Sequence, residues 1–142
     1  MPLSLEIITP SGIVFSDENI DAVSLPTRNG EIQILAGHIP LITILDGGEI
    51  VVQKGTLSES VAVDCGYARC IGDCISVLTE AAINIDDSDE SDIEQAKLDA
   101  EKAIEEAKKS GEISPEEIER LESRARVAIT GLLAKARKRN TH

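Results

Sequence analysis

The sequence has few aromatic side chains and few positive charges. Among its 142 residues only Phe15 and Tyr67 are aromatic, and 26 acidic side chains against 14 basic ones give a formal charge of −12. An acidic surface repels phosphate backbones, and nucleotide bases usually stack on aromatic side chains. These two shortages exclude nucleic-acid binding as a function.

The chain also lacks a long apolar run and the features of an export signal. Its longest nearly unbroken apolar stretch, residues 39–45, contains Pro40 and Thr43 and is far shorter than the ~18 residues that cross a bilayer. Residues 1–6 have neither the basic nor the apolar region of a secretory signal. We therefore expect a cytosolic chain with no direct membrane insertion.

Cysteine and histidine are scarce. The spacing of Cys65, Cys70 and Cys74 fits neither a zinc knuckle nor a paired disulfide framework, so we expect free, mostly buried thiols and no metal site. A thiol enzyme would need one of these cysteines beside His38 with a lowered pKa. The sequence contains no phosphate-binding loop, dinucleotide fingerprint, HExxH or GxSxG motif. The residues therefore favour a non-catalytic interaction or regulatory subunit.

The composition changes near residue 86. Eight of the ten glycines, four of the five prolines and 29 of the 39 Ile, Leu and Val residues lie before it. The later part is rich in Ala, Glu and Lys, and we expect the acidic stretch 86–90 to be a solvated linker. The sequence thus predicts two units, residues 1–85 and 86–142.

The first unit is predicted to consist of strands, because short β-branched runs recur between turn residues. In several runs apolar and polar residues alternate, which places one face of each strand in a core. A sandwich or barrel follows from this pattern. The predicted strands are 3–9, 12–15, 20–25, 32–35, 41–45, 49–54, 57–64, 67–71 and 74–79.

The second unit is predicted to be an antiparallel helical hairpin. Residues 91–94 and 114–117 each place Ser three positions before Glu, the capping-box pattern of a helix start. Pro115 fits the first helical position, and the Ser-Gly pair at 110–111 ends the first helix.

The facing sides of the two predicted helices are rich in alanine, which buries little area at ~25 cal/mol per Å² of apolar surface. We therefore expect a weakly held hairpin that can move. The residues on these sides are Ile93, Ala96, Ala100, Ala103 or Ile104 and Ala107 in the first helix, and Ile118, Leu121, Ala125, Ala128, Ile129, Leu132 and Ala136 in the second.

Charge is divided unevenly along the hairpin. Residues 86–119 carry a net charge of −10 and residues 120–142 carry +6. The helix macrodipole explains cations in the last turn only. The others either pair with the acidic first helix or await an acidic partner, and the sequence leaves both open. The basic residues are Arg120, Arg124, Arg126, Lys135, Arg137, Lys138 and Arg139.

The segment 29–45, NGEIQILAGHIPLITIL, resembles the G-E-x-G-I-L-P-G-H-A-P-L-L-T-x-L signature of the epsilon subunit of F-type ATP synthases. The segments LEIITP at 5–10, GEI at 48–50 and VLTE at 77–80 also fall in that family's order. The chain departs from the signature where Gln33 replaces Gly and Ala36 replaces Pro.

This resemblance implies a ten-stranded β-sandwich followed by a helical hairpin, in a non-catalytic rotor subunit of the central stalk. The sandwich would bind the gamma subunit and the ring of c subunits, with the ring contact at Gly30, Glu31, Gly37 and His38. His38 equally fits a turn residue that only shapes the loop. The complex would hold the chain at the cytoplasmic face of a bacterial plasma membrane.

The resemblance also implies that the hairpin is a switch. In one state it folds against the sandwich, and in the other it extends along gamma into the alpha/beta catalytic hexamer and blocks ATP hydrolysis. The basic second helix would then face an acidic segment of a catalytic β subunit.

Some members of the family bind ATP at an [I/L]-D-x-x-R-A motif on the first helix. The matching residues are Ile93, Glu94 and Lys97, and lysine lacks the planar fork of arginine. We therefore expect weak ATP binding at most and no cofactor. The alternative to the whole assignment is an independent acidic binding module whose basic helix engages an unrelated acidic protein.

Overall fold

The computed structural model describes residues 2–37 and 40–139, apart from the side chain of Arg139. Neither helix in this part of the chain combines the length and apolarity needed to cross a membrane. The elements are β1 Leu3–Thr9, β2 Gly12–Ile20, β3 Ala22–Thr27, β4 Gly30–Leu35, β5 Leu41–Leu45, β6 Gly48–Lys54, β7 Leu57–Val63, β8 Gly66–Ile71, β9 Cys74–Thr79, β10 Ala82–Asn84, α1 Glu90–Ser110 and α2 Pro115–Arg139.

The ten strands form one continuous sheet that folds over into a sandwich. The strand order is β10-β7-β6-β3-β5-β8-β9-β1-β2, with β4 paired to β3. Among these pairs β1 and β9 are parallel and the others are antiparallel. Alternate side chains fill the core between the layers, including Ile7, Leu25, Leu45 and Val77. The predicted fold class is confirmed.

The nine predicted runs each correspond to a strand, and the differences are at their ends. β2 continues five residues beyond the predicted end, to Ile20, and β3 begins at Ala22 rather than at residue 20. The three-residue strand β10 pairs with β7 and is too short for periodicity to predict. The tenth strand had followed only from the family resemblance.

One of the two predicted capping boxes is wrong. α1 begins at Glu90 with Asp89 as its N-cap, and no side chain caps that end, so Ser91 lies inside the first turn. Asp86, Asp87 and Asp89 in the linker before it are exposed, as predicted for a solvated linker. The linker is also tied to the sandwich, because the Ser60 N–H donates to Asp86 Oδ2 at 2.6 Å. This contact fixes where the chain leaves the sandwich.

The other helix boundaries agree with the prediction. Ser114 Oγ accepts a hydrogen bond from the Glu117 N–H at 3.3 Å, and α2 starts at Pro115. Gly111 has φ 66° and its N–H donates to the Ala107 carbonyl, which ends α1 in the left-handed conformation that glycine adopts at little cost.

The hairpin lies on the outer face of the sandwich, with α2 against β6, β7 and β10 and α1 packed on α2. Small side chains allow this close approach, and Ser60 and Ala62 on the outer face of β7 are 3% and 0% exposed. A second apolar cluster forms there from Ala62, Ala81, Ile85, Val127 and Ala134.

α2 therefore has two buried sides, whereas the sequence predicted one. Ala125 and Ala128 are buried as expected, but Ile129, predicted to face α1, is 42% exposed. Ser123 and Val127, which were not predicted, are each 1% exposed because the sandwich covers them. A helix between two layers needs a wider apolar surface than one facing a single neighbour.

We predict that Gly66→Ala destabilises the sandwich by about 3 kcal/mol, because overpacking against fixed backbone is costly. A Cβ at Gly66 would lie 2.0 Å from the Leu78 carbonyl oxygen, which cannot move without disturbing β9. Urea unfolding measures the loss.

Gly47→Ala is the matched control, since a Cβ there meets its nearest atom, Asp64 Oδ1, at 3.4 Å. Equal free energies of unfolding for the two variants would show that the β8–β9 contact is looser than described.

Candidate functional site

The cations of α2 pair with carboxylates of the first unit and the linker. The sequence had left two choices, the acidic first helix or an outside partner, and this arrangement is neither. Such surface ion pairs each contribute about 0–1 kcal/mol. The pairs are Arg120 with Glu80 at 3.5 Å, Arg126 with Asp64 at 2.9 Å, Arg137 with Glu49, and Lys138 with Asp86 at 2.8 Å.

One of these pairs is buried on its sandwich side and differs from the others. Asp64 is 4% exposed, and its carboxylate accepts hydrogen bonds from Arg126 Nε at 3.0 Å and Nη2 at 2.9 Å. The Ser123 hydroxyl donates to the same carboxylate. We call these three residues the Asp64 latch. Hydrogen bonds from two guanidinium nitrogens and one hydroxyl to the same carboxylate are directional. They therefore fix the rotation of α2 about its own axis relative to the sheet.

The backbone around Asp64 is fixed by the sandwich. Its N–H donates to the Ala81 carbonyl at 3.1 Å, and its carbonyl accepts from Thr79 Oγ1 at 3.0 Å. Burial raises the pKa of Asp64, but the hydrogen bonds from Arg126 and Ser123 and the Arg126 charge outweigh burial and hold that pKa below its usual value. The carboxylate is thus charged at neutral pH and keeps its attraction for Arg126.

The remaining cations of α2 stand apart from these contacts. Arg124 is exposed and Lys135 half-buried, and neither has a carboxylate within 4.0 Å among the described residues. The side chain of Arg139 lies outside the described part of the chain. Arg124 and Lys135 are therefore the members of the predicted inhibitory set that the folded hairpin leaves unpaired.

The other outer face of the sandwich carries a row of largely exposed apolar side chains. Cross-strand pairing aligns Ile44 with Tyr67, Tyr67 with Leu78, Leu78 with Ile8, and Ile8 with Ile13. Ile13, Tyr67 and Leu78 are 63%, 60% and 53% exposed. We call these five residues, on β5, β8, β9, β1 and β2, the apolar row. Contiguous exposed apolar surface of this kind marks a site of protein contact.

The sequence contained only part of this information. Each residue of the apolar row belongs to a predicted strand, but the row exists only in the register of five strands, and no short sequence window contains it. The predicted strand 57–64 included Asp64, which lies one residue beyond the end of β7. That α2 covers this face could have been inferred only from the second set of small or apolar residues on α2, Ser123, Val127 and Ala134.

A groove of about 900 Å³ lies between the apolar row and the start of α2. Ile44, Tyr67 and Leu78 line its sheet side, and Glu116 and Glu119 line its helix side. The groove therefore joins the uncovered face of the sandwich to the folded hairpin.

The residues predicted to contact the ring are not all together. Gly30 and Glu31 are exposed at one end of β4, and Gly37 is exposed beyond the other end. The strand itself is roughly 17 Å long at ~3.4 Å per residue. The extended strand β4 thus separates the two turns. The Gly37 N–H donates to Asp73 Oδ1 at 3.2 Å. His38 lies outside the described residues.

The three residues aligned with the ATP motif do not meet in a common cavity. Ile93 is 2% exposed and packs towards Gly131, where a Cβ would lie 3.4 Å from its Cγ2. Glu94 is exposed, and Lys97 pairs with Glu101 at 3.7 Å. None of the three lines the cavity of about 390 Å³ between the helices and β10.

The cysteines are less buried than predicted, since Cys65 and Cys74 are exposed and only Cys70 is buried. Cys65 and Cys74 lie in a turn and at a strand end, where the core does not reach them. Although Cys65 is exposed overall, partial desolvation of its thiol raises the pKa, with the Asp64 charge adding to the effect, and burial raises the pKa of Cys70. No group of three His, Cys, Asp or Glu residues in the described ranges is arranged to hold a metal.

The sequence of the sandwich matches a known family. Residues 2–85 match the model described as "ATP synthase, Delta/Epsilon chain, beta-sandwich domain". The "ATP synthase epsilon chain" of Herpetosiphon aurantiacus is 33% identical over 132 residues, which cover 93% of this chain and 96% of the relative. The chain belongs to the ATP synthase delta/epsilon family. Its predicted family membership is confirmed.

Other relatives agree with this assignment. The "ATP synthase epsilon chain" of Campylobacter jejuni subsp. doylei is 40% identical over 94 residues, covering 66% of this chain and 72% of the relative. A chain of the Euglena gracilis mitochondrial ATP synthase, in the structure titled "OSCP/F1/c-ring in rotational state 1", has a TM-score of 0.60 at 23% identity and covers 95% of this chain and 81% of its own length. The likeness to Euglena supports the fold of the family over both units.

The family model ends at residue 85, before α1 begins, so it includes Asp64 and the apolar row but not the hairpin. The Asp64 latch therefore joins the sandwich, which the family model matches, to two helices that lie outside that match.

We predict that Arg126→Ala loosens the folded hairpin by about 2 kcal/mol, the contribution of hydrogen bonds to a charged group. The substitution leaves Asp64 buried with the Ser123 hydroxyl and the more distant Cys65 thiol, at 3.9 Å, as its side-chain donors among the described residues. Amide hydrogen exchange in α2 of the free chain should become roughly 30-fold faster.

Arg124→Ala is the control, since Arg124 lies on the same helix, is exposed and makes no ion pair within the described residues. Equal exchange rates for the two variants would mean that the latch does not hold α2.

Proposed function

We propose that this chain is the central-stalk epsilon subunit of an F-type ATP synthase and that its apolar row binds the gamma subunit. The membership of the delta/epsilon family supports the rotor role, in which the subunit is non-catalytic. The single observation that carries the docking proposal is the apolar row, because one outer face of the sandwich is covered by α2 and the other is not.

The chemistry of the uncovered face suits a stable protein contact. Three side chains of the row are more than half exposed, and burying a side chain of this size contributes about 1.5–3 kcal/mol each. A large aromatic residue such as Tyr67 near the middle of the row is the kind of anchor that dominates binding energy.

For the ring of c subunits we propose the exposed turn at Gly30 and Glu31. This turn lies at the same end of the sandwich as the groove, because Thr27 pairs with both Gly30 and Leu45, and Leu45 pairs with Gly66 in the groove wall. Gly37, beyond the other end of β4, is a separate candidate contact, and His38, outside the described residues, stays a prediction. A charged side chain in an exposed turn is free to meet a partner.

We propose that the hairpin restrains ATP hydrolysis by leaving the sandwich and entering the alpha/beta hexamer. The structure describes the folded state, in which four of the helix cations are paired with the chain's own carboxylates. Extension must exchange these contacts for acidic groups on the partner, so the two states compete for the same arginines and lysine. Weak surface pairs and one stronger latch suit such an exchange.

The other assignments have less support. An independent acidic binding module does not explain the family membership or the apolar row. A thiol enzyme would need a cysteine with a depressed pKa, whereas those of Cys65 and Cys70 are raised.

A regulatory ATP site stays a proposal only in its weak form. The burial of Ile93 and the pairing of Lys97 with Glu101 argue against nucleotide contacts there. Membrane association comes through the complex, and we place the chain at the cytoplasmic face of a bacterial plasma membrane.

To test docking, we predict that Leu78→Asp weakens binding of the chain to the purified gamma subunit by about 100-fold, since a charge would be buried at the centre of an apolar contact. The affinity of each variant for gamma is measured with gamma immobilised on a surface, and the dissociation rates are compared.

Leu57→Asp is the matched control because Leu57 is a leucine 70% exposed at the start of β7, outside the apolar row. If both variants bound gamma like the native chain, the apolar row would not be its docking site.

For the hairpin, we predict that a substitution in the Asp64 latch and substitutions of the unpaired cations have opposite effects on inhibition of ATP hydrolysis. Asp64→Asn removes the sandwich side of the latch without changing the helix, so it should favour extension and strengthen inhibition of ATP hydrolysis. Reversal of the unpaired cations, Arg124→Glu with Lys135→Glu, should relieve inhibition and leave the folded state intact.

Hydrolysis is measured with the reconstituted catalytic complex and compared with a chain truncated after residue 87. Equal activity of the truncated and full chains would show that the hairpin is not inhibitory. If truncation releases activity and neither substitution changes it, the electrostatic account of the switch is wrong.

A further inference from the structure

The groove beside the apolar row has walls from both units of the chain. Its floor is made by side chains of β5, β8 and β9, namely Ile44, Tyr67 and Leu78. Its other wall is the first two turns of α2, which contribute Glu116 and Glu119 among others. A partner that covers the apolar row at this end must therefore touch the helix.

The charges of the helix wall are only partly satisfied by the chain itself. Glu119 pairs with Arg126 at 2.8 Å, and Arg120 pairs with Glu80 at 3.5 Å. Glu116 has no ion pair within the described residues, although it stands on the groove. The helix side of the groove thus presents Glu116 next to an apolar floor, and the exposed Arg28 and Arg120 also line the groove.

This wall exists only while the hairpin is folded. The same turns of α2 are held against the sandwich by Ser123 and Arg126 of the Asp64 latch, which follow Glu119 by one helical turn or two. When α2 leaves the sheet, the groove loses that wall, and the apolar row remains as an open face.

We propose that the groove binds a gamma segment whose apolar side chains cover Ile44, Tyr67 and Leu78 and whose basic side chain faces Glu116. The folded α2 is then part of the gamma docking surface. Gamma binding and hairpin folding stabilise each other, because a ligand that contacts one state more than the other shifts the equilibrium towards it and the coupling is reciprocal. This inference rests on the proposed docking of gamma at the apolar row.

The test uses the full chain and the purified gamma subunit without the alpha/beta hexamer, so that the hairpin has no catalytic site to enter. Glu116→Lys should weaken binding about tenfold, within the usual range of coupling between sites. Glu117→Lys is the matched control: it is one residue further along the same first turn, is exposed and does not line the groove. It changes the charge near the helix N-terminus equally and should leave affinity within about twofold.

A second readout tests whether gamma contacts α2 directly or only responds to a charge near its binding site. Hydrogen exchange in residues 115–126 should slow about tenfold when gamma binds the native chain, and Asp64→Asn, which loosens the hairpin, should weaken gamma binding. Unchanged exchange on gamma binding would overturn the proposal even if Glu116→Lys lowered affinity.

The outcomes distinguish this inference from the docking on which it rests. If Leu78→Asp leaves gamma binding intact, the docking face is wrong and both ideas fail. If Leu78→Asp abolishes binding while Glu116→Lys and Glu117→Lys behave alike, gamma docks on the sandwich alone and only the role of α2 is overturned.

Discussion

The arrangement of the whole chain depends on how α2 is held against the outer face of β7. Small side chains on the strand, Ser60 and Ala62, let the helix approach, and the buried carboxylate of Asp64 fixes its position through Arg126 and Ser123. The apolar part of this contact is modest, since alanine and valine supply most of it. A single well-placed charge pair therefore has a large influence on whether the hairpin stays folded.

This contact makes the two outer faces of the sandwich unequal. One is covered by the chain's own helix, and its acidic residues are matched by cations from α2. The other presents the apolar row, whose members Ile13, Tyr67 and Leu78 are more than half exposed. The proposed function assigns the face with the apolar row to docking on gamma and the other face to the release of the hairpin. The groove at their border joins the two, because it has a wall from each.

Sequence patterns predicted local features well where the cause was local. Turn residues and alternating apolar positions located nine strands, and Ser114, Pro115 and Gly111 set helix boundaries through their own backbone chemistry. The prediction failed where a distant contact decided the outcome. Ile129, for example, is exposed because α2 turns another side to the sandwich.

The sequence by itself determined the strand-rich first unit, the helical hairpin, the acidic and basic halves of that hairpin and the signature that identifies the family. These depend on residues near one another along the chain. The tertiary structure alone decided that Asp64 meets Arg126, which is 62 residues away, and that five strands align one apolar residue each into a row. Periodicity shows which side of an element is apolar, but only packing shows which surface covers it.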